Sequence, residues 1–334
     1  MSADYAAPEL IAGAASAPAD GDADVIILAM DRVEDTIAAI ASARAQQGIV
    51  KHVWVADQGS TPENLARLAA AVEGAADATL VRLDRNHGVA GGRNRATALG
   101  RARAIFALDN DAEFADATTL ARAVAALDET PDLAAIGCRI LVFATGEEDR
   151  SSWGYPPALL PRAAGSFDSC TFVGAGHAIR RAAWDAAGGY DDALFFCWEE
   201  FDFCLRAINL GWRIRYRGDI AVRHKVSGEH RFAWSGTRWH YFVRNRIYIG
   251  LKSGDGVLAL LPRYAAYLVK GARNGVLRQG LAAGPAALRL ARTAPRQLPT
   301  PAAQDYLARN DAAYRGGLLG RLRRELLAAL PAAK

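Results

Sequence analysis

Residues 104–113 read AIFALDNDAE, an apolar run that ends in two acids separated by one residue. The run has the composition of a buried strand, and side chains in a strand alternate between its two faces. Asp109 and Asp111 therefore point the same way where the strand ends. Two carboxylates placed like this suit a Mg²⁺ or Mn²⁺ that also binds a diphosphate, although acidic pairs are common in ordinary turns too.

A second strand that ends in an acid lies upstream. Residues 49–61 read IVKHVWVADQGST, and Pro62 then opens a helix that Ser60 or Thr61 can cap. Asp57, at the carboxyl end of this strand, can accept a hydrogen bond from a nucleotide base or ribose. The alternative is an ordinary strand-to-helix turn.

A glycine-rich loop separates these two strands. Residues 84–96 read DRNHGVAGGRNRA and lead into a helix. Their small side chains let backbone amides approach a phosphate or a sugar. The spacing of the glycines matches neither the dinucleotide fingerprint nor the Walker loop. A flexible turn with a basic helix start is the alternative interpretation.

Paired glutamates begin a later helix. Residues 195–206 read FFCWEEFDFCLR, and an apolar stripe at helical spacing runs from Phe201 to Ile208. Glu199 and Glu200 then lie in the first turn, where the helix dipole stabilises anions. That stabilisation is one explanation for both acids, and a catalytic role is the other.

The order of these motifs resembles glycosyltransferase family 2, and more narrowly its rhamnosyltransferase-like branch, which builds bacterial surface polysaccharides. The resemblance covers about residues 23–250, and the ordered series is more specific than any single motif. The motifs are Asp57-Gln-Gly-Ser, Asn86-x-Gly-x-x-Gly-Gly-x-Asn, Asp109-Asn-Asp, Gly174-x-Gly, Gly188-Gly-Tyr-Asp-Asp and Glu199-Glu-x-Asp-x-x-x-Arg. The resemblance implies an α/β fold of the GT-A type, with a mixed sheet flanked by helices and a helical C-terminal appendage.

The resemblance also implies roles for individual residues. Asp57 corresponds to the residue that contacts the nucleobase. Asp109, Asp111 and His224 correspond to the metal site, which would hold Mn²⁺ or Mg²⁺. Glu200 lies where the family has its catalytic base, usually an aspartate, and whether Glu199 or Glu200 takes the proton stays open. The further donor-binding positions are Asn86, Gly91, Arg93, Asn94, Asp109, Asp202 and Arg206.

Composition and patterning divide the 334 residues into three parts. Residues 1–22 are rich in Ala, Pro, Gly and Asp without periodicity, which predicts disorder. Residues 23–250 form the predicted catalytic domain, and 251–334 form a basic helical region. Strands and helices alternate within the domain, which predicts an α/β sheet with crossover helices. The predicted strands are 24–29, 50–56, 79–83 and 104–109, and the predicted helices are 34–46, 62–74 and 90–102.

Charge is distributed unevenly along the chain. Through Phe203 there are 16 Lys and Arg against 30 Asp and Glu, and from Cys204 onward there are 24 against 6. The basic half predicts an anionic partner, either a diphosphate substrate or the surface of the inner membrane. A solvated appendage or a contact within a homo-oligomer is the alternative. Nucleic acid is disfavoured, because the basic stretches lack interleaved aromatic residues.

Glycine and proline divide the basic tail further. Breaks are predicted at 254–256 and at Gly284-Pro285, followed by a short helix over 286–292. A linker is predicted over 295–301 and a last helix over about 304–330. No run of 18 or more uncharged apolar residues occurs, so amphipathic helices at a membrane interface are expected rather than a spanning helix.

These observations lead to one expected function and two alternatives. We expect an inverting glycosyltransferase that moves a sugar from a TDP- or UDP-linked donor to a glycan or lipid-linked acceptor during cell-surface polysaccharide synthesis. The cysteine spacing indicates free thiols and a cytoplasmic protein, soluble or peripheral at the inner membrane face. A nucleotidyltransferase is disfavoured because residues 29–32 lack a glycine-rich loop. A non-catalytic transferase-like scaffold is disfavoured because all the expected acids are present.

Overall fold

The computed structural model describes residues 5–225 and 236–317. The strands are β1 Glu9–Gly13, β2 Ala23–Ala29, β3 Lys51–Asp57, β4 Ala78–Arg82, β5 Ala104–Leu108, β6 Ala112–Phe114, β7 Leu133–Val142, β8 Ser166–Ser169, β9 Gly176–Arg180 and β10 Arg213–His224. The helices are α1 Val33–Arg44, α2 Pro62–Val72, α3 Gly88–Thr97, α4 Thr119–Asp128, α5 Arg181–Ala187, α6 Glu199–Asn209, α7 Gly236–Lys252, α8 Val257–Arg273, α9 Leu277–Thr293, α10 Pro301–Leu307 and α11 Ala313–Arg315. The strands and helices predicted between residues 24 and 109 are confirmed, with somewhat shifted ends.

The strands form one mixed sheet in the order β1-β4-β3-β2-β5-β9-β7-β10-β6, with β8 also paired to β10. The strands β4, β3, β2 and β5 run parallel to one another. The antiparallel β9 separates them from β7 and β10, which run in the same direction as β5. The carboxyl ends of β3, β5 and β10 therefore meet at one edge of the sheet.

The sheet separates two hydrophobic layers, because side chains alternate along its central strands. Ile26 faces one layer, while Val25 and Ile27 face the other. Helices α1, α2 and α4 cover one face, and α3, α5, α6 and α7 cover the other. The predicted mixed sheet flanked by helices is confirmed.

The prediction of disorder for residues 1–22 is wrong for the part that forms β1. This strand pairs antiparallel with β4 and covers that edge of the sheet. An edge strand offers unpaired backbone groups to any extended segment, so pairing here needs little side-chain periodicity. A Cβ on Gly13 would lie 2.2 Å from the Ala78 carbonyl oxygen, so only glycine fits where the segment turns away. Residues 1–4 lie outside the described range, and the domain division at residue 22 stays a prediction.

The C-terminal helices follow the predicted pieces except at one point. Helix α9 continues through Gly284-Pro285, where the sequence predicts a break. Gly284 instead serves helix packing, because a Cβ on it would lie 2.6 Å from the Tyr264 hydroxyl of α8. The linker over 295–301 is confirmed, and residues 318–330 of the predicted last helix lie outside the described range. In the described parts of the chain, no helix is both long and apolar enough to cross a bilayer.

Candidate active site

Two neighbouring carboxylates and a histidine that is distant in sequence meet at the carboxyl edge of the sheet. Asp109 follows β5, Asp111 precedes β6 and His224 ends β10. One ligand atom from each lies within 4.8 Å of the other two. Two hard carboxylate oxygens and an imidazole nitrogen fit a Mn²⁺ or Mg²⁺ ion. The predicted metal ligands are thus brought together, and we call these three residues the metal cluster.

Two residues without a predicted role contact the metal cluster. The Nε2 atom of His224 lies 3.4 Å from one Asp111 oxygen, and its Nδ1 atom lies 3.2 Å from Asp149. Burial alone would lower the pKa of His224, but the bonds to Asp111 and Asp149 raise it to about 10. Asp149 thereby orients the ring, as a carboxylate behind a metal-bound histidine does. Arg32 donates to the other Asp111 oxygen at 2.5 Å and offsets its charge.

Arg93 of α3 links the metal cluster to the glutamates. Its side chain is buried and donates to Asp109 at 2.7 Å and to the Gly174 carbonyl at 2.9 Å. Its second terminal nitrogen lies 3.5 Å from Glu200 Oε1. A guanidinium that donates to two carboxylates fixes their separation. The predicted donor-binding residue therefore lies between the metal ligands and the proposed base.

The two glutamates at the start of α6 differ in exposure. The Glu200 side chain is 15% exposed and reaches Arg93. Glu199 is 3% exposed, and one of its carboxyl oxygens has no hydrogen-bond partner. Burial and then the charge of Glu200 hold the pKa of Glu199 well above its usual range. Burial also raises the pKa of Glu200, against the effect of Arg93. Glu200 is thus the more accessible of the two carboxylates, and its role as the base stays a prediction.

Gly174 lies against the Glu200 carboxylate. A Cβ on Gly174 would lie 2.4 Å from Glu200 Oε1, so alanine forces that flexible side chain to move. We expect Gly174→Ala to change the free energy of unfolding by less than about 1 kcal/mol. We expect turnover to fall by up to about 10²-fold, the cost of misplacing a reacting group by about 1 Å.

Thermal unfolding and initial-rate measurements separate these two effects of Gly174→Ala. Gly165→Ala is a matched control, because the nearest atom to a Cβ there is a carbonyl oxygen 3.4 Å away. Wild-type turnover in Gly174→Ala would show that the position of Glu200 in the structure does not matter for the reaction.

The loop before α6 has an unusual backbone. Phe195, Cys197 and Trp198 all have positive φ, between 60° and 72°, which bulky residues rarely adopt. The side-chain amide nitrogen of Asn245 on α7 lies 2.8 Å from the carbonyl oxygens of Leu194, Phe196 and Cys197, and its two N–H groups are shared among them. Arg244 also donates to the Leu194 carbonyl, at 2.9 Å, and to the Ala193 carbonyl at 2.6 Å. These bonds hold the strained loop against α7 and orient the two glutamates that follow it.

The glycine-rich segment shapes the site through its backbone. Asn86 is exposed, and its side chain accepts from an amide two residues further on at 2.7 Å. A Cβ added to Gly91 would lie 2.9 Å from the Cβ of His87, so glycine at this position leaves room for the His87 side chain. Asn94 is buried and bonds to both backbone groups of Tyr190, at 2.8 and 2.9 Å. These bonds hold Asn94 against the Tyr190 backbone, and donor contacts at Asn86, Gly91 and Asn94 stay predictions.

Asp57 lies at the same sheet edge and is fully buried. Its carboxylate accepts from the amides of Gly59 and Ser60, at 3.2 and 3.1 Å. Ser60 accepts from the Asp31 amide at 2.8 Å, and Thr61 is the residue that caps α2. These bonds fit the strand-to-helix turn, and the nucleobase contact of Asp57 stays a prediction.

Asp202 and Arg206 belong to a buried ion-pair network, and the donor-binding role predicted for both stays a prediction. Asp202 is 1% exposed and accepts from Arg206 at 2.8 Å. Lys252 lies 2.6 Å from Asp202 and 2.8 Å from Asp191. Buried charges persist only when they are paired like this, so the network fastens α6 to the end of α7.

The part of the chain that contains Arg93, Asp109 and Asp111 matches a known sequence family. Residues 24–187 match the family described as Glycosyl transferase family 2. The resemblance inferred from the motifs is confirmed over these residues, and the rhamnosyltransferase-like branch stays a prediction. No curated protein is significantly similar to the chain in sequence.

Two solved glycosyltransferase structures are similar to the chain. Mannosyltransferase PcManGT from Pyrobaculum calidifontis, in complex with GDP-Man and Mn²⁺, has a TM-score of 0.56 and 20% identity over 96% of this chain and 88% of that one. GalNAc-T7 with UDP, GalNAc and Mn²⁺ has a TM-score of 0.57 and 15% identity over 73% of this chain and 51% of that one. The chain therefore spans about half of GalNAc-T7. At these identities the likeness shows the fold alone, and the predicted GT-A fold is confirmed.

Proposed function

We propose that the protein is an inverting glycosyltransferase, which moves a sugar from a nucleoside-diphosphate donor to a hydroxyl of a glycan or lipid-linked acceptor. The position of Glu200 beside the metal cluster, with Arg93 between them, carries this proposal. The family 2 match supports it. The nucleotide, sugar and Mn²⁺ ligands of the two similar structures support a nucleotide-sugar donor and a divalent metal.

The chemistry follows from the position of each side chain. A divalent ion at the metal cluster would neutralise charge on the leaving diphosphate. Asp149 keeps the His224 ring oriented, and Arg93 keeps the Glu200 carboxylate directed into the site. Glu200 accepts the proton of the acceptor hydroxyl as that oxygen forms its bond to the anomeric carbon. The bond from that carbon to the diphosphate breaks, the diphosphate leaves with the electron pair, and attack from the opposite face inverts the configuration.

We infer the donor and the cellular setting from the family resemblance and the cysteines. A UDP- or TDP-linked hexose or rhamnose is the proposed donor, and cell-surface polysaccharide synthesis is the proposed process. The four cysteines are free thiols, and Cys138, Cys170 and Cys204 are buried. Free thiols are typical of a reducing cytoplasm, which supports a cytoplasmic location.

Incubation of the full chain with UDP-, TDP- and GDP-linked sugars and Mn²⁺ tests the proposed function. We expect one donor class to raise the unfolding temperature and to release nucleoside diphosphate by slow hydrolysis. A chelator should suppress both effects. Release of pyrophosphate from a nucleoside triphosphate and a sugar phosphate would show a nucleotidyltransferase instead. No nucleotide binding at all would favour the non-catalytic scaffold.

A further inference from the structure

Helices α8 and α9 expose a row of large apolar side chains. Leu258, in the first turn of α8, is 80% exposed, and further large apolar side chains are exposed along both helices. The row, which we call the outer row, consists of Leu258, Leu261 and Val269 on α8 and Leu277, Leu281 and Leu288 on α9. Pro262 and Ala265, which are exposed on α8 between these residues, are apolar as well.

The outer row faces away from the rest of the protein on both helices. The two helices lie side by side, since Tyr264 of α8 donates to the carbonyls of Gly280 and Leu281 at 3.1 and 3.2 Å. Both press a glycine against Trp239 of α7. A Cβ on Gly271 of α8 would lie 2.8 Å from the indole nitrogen of Trp239, and a Cβ on Gly280 of α9 would lie 3.2 Å from the same atom. With their inner sides on α7, the two helices present their outer sides to the surroundings.

The charge around the outer row has a single sign. Residues 256–304 contain no Asp or Glu and seven Lys and Arg. Among these, Arg278, Arg289 and Arg292 are exposed on α9 next to the apolar positions. An exposed apolar row bordered by arginines and free of acids is typical of a helix that lies in the plane of a membrane interface.

We propose that the outer row and its arginines bind the surface of an anionic lipid bilayer. The charge favours lipid over a second copy of the chain, because a two-fold contact would bring identical arginines together. The exposed leucines favour lipid over nucleic acid, whose backbone offers phosphates but no apolar interior. The surface also adjoins the site, since α7 lies between this helix pair and the loop that precedes Glu200. The proposal does not depend on the transfer reaction.

Co-sedimentation of the full chain with lipid vesicles tests the proposal. Vesicles of phosphatidylcholine alone are compared with an equal mixture of phosphatidylcholine and phosphatidylglycerol, at low and high salt. One variant removes charge (Arg278→Gln, Arg289→Gln and Arg292→Gln), and a second removes apolar surface (Leu258→Ser, Leu261→Ser and Val269→Ser). The matched control removes three partly exposed arginines that pair with acids elsewhere, by Arg44→Gln, Arg67→Gln and Arg122→Gln.

We expect the wild type to bind the mixed vesicles at low salt and to dissociate as salt rises. Each arginine near an anionic surface should contribute about fivefold to the partition coefficient, so the charge variant should bind about a hundredfold more weakly. The apolar variant should bind at least about tenfold more weakly. The control should bind like the wild type.

Three results would overturn the proposal. The first is wild-type binding by the apolar variant, because the row would then not enter the interface. The second is a loss of binding in the control equal to that in the charge variant, because the net charge of the protein alone would then explain vesicle binding. The third is a dimer in lipid-free solution that the apolar variant converts to a monomer while vesicles bind neither protein. In that case the outer row is a subunit interface.

Discussion

Replacing Asp111 by alanine should lower turnover by about 10³-fold or more, because a metal ion stabilises transition-state charge by several kcal/mol and each 1.36 kcal/mol is a factor of ten. Metal-dependent nucleotide binding should be lost as well. The Asp111 carboxylate is 13% exposed and is the member of the metal cluster that contacts both His224 and Arg32. Calorimetric titration of the donor nucleotide with and without Mn²⁺, together with initial rates, measures both effects.

Asp116→Ala is the matched control for Asp111→Ala. Asp116 lies a few residues further along the chain, where its half-exposed carboxylate pairs with Arg122 outside the metal cluster. Its removal should leave donor binding and turnover unchanged. Full activity of the wild type in excess chelator would contradict the role of the metal cluster. Retention of Mn²⁺-dependent nucleotide binding by a folded Asp111→Ala variant would do the same.

The sequence predicts the sheet and the metal cluster because both depend on short-range patterns and a simple topological rule. The apolar runs before Asp57 and Asp109 indicate buried strands that end at these acids, and parallel strands place such ends at one edge. Asp109 and Asp111 are close for the local reason that they are two residues apart. His224 joins them because β10 runs in the same direction as β5. The family resemblance supplied His224, which spacing alone could not.

The contacts that support the metal cluster could not be predicted in the same way. Asp149 is 75 residues from His224, and Arg32 is 79 residues from Asp111. Neither residue lies in a motif that marks it as a partner. Their positions depend on how separate loops pack at the sheet edge, which no local pattern specifies.

A second limit concerns polar residues inside the motifs. Asn94, Asp202 and Arg206 lie in the motifs that carry the family resemblance, yet the structure buries Asn94 against a backbone loop and pairs Asp202 with Arg206 and Lys252. A motif indicates that a residue is important, but it does not distinguish a role in folding from a role in the active site. Burial and pairing are seen only in the structure, because a sequence does not show burial for a polar residue on an amphipathic helix.

Replacing Glu200 by glutamine should lower turnover by about 10²–10⁴-fold, the usual contribution of a general base, and leave donor affinity close to the wild-type value. Glutamine keeps the shape of the side chain and its approach to Arg93 but cannot accept the proton. Initial rates with a saturating acceptor measure the turnover, and calorimetric titration of the donor nucleotide measures the affinity. A rate loss with unchanged affinity separates a base from a residue that only supports the site.

The matched variant Glu199→Gln separates the two neighbouring glutamates. Glu199 is more buried than Glu200, and burial holds its pKa well above the usual range, which favours the neutral form of its side chain. Glutamine is a neutral side chain of nearly the same shape, and it should therefore cost less than tenfold in turnover. The opposite result, a large loss in Glu199→Gln and a small one in Glu200→Gln, would make Glu199 the base. Because a buried Glu199 could reach an acceptor only after the strained loop before α6 rearranges, that result would also show that the loop moves during the reaction.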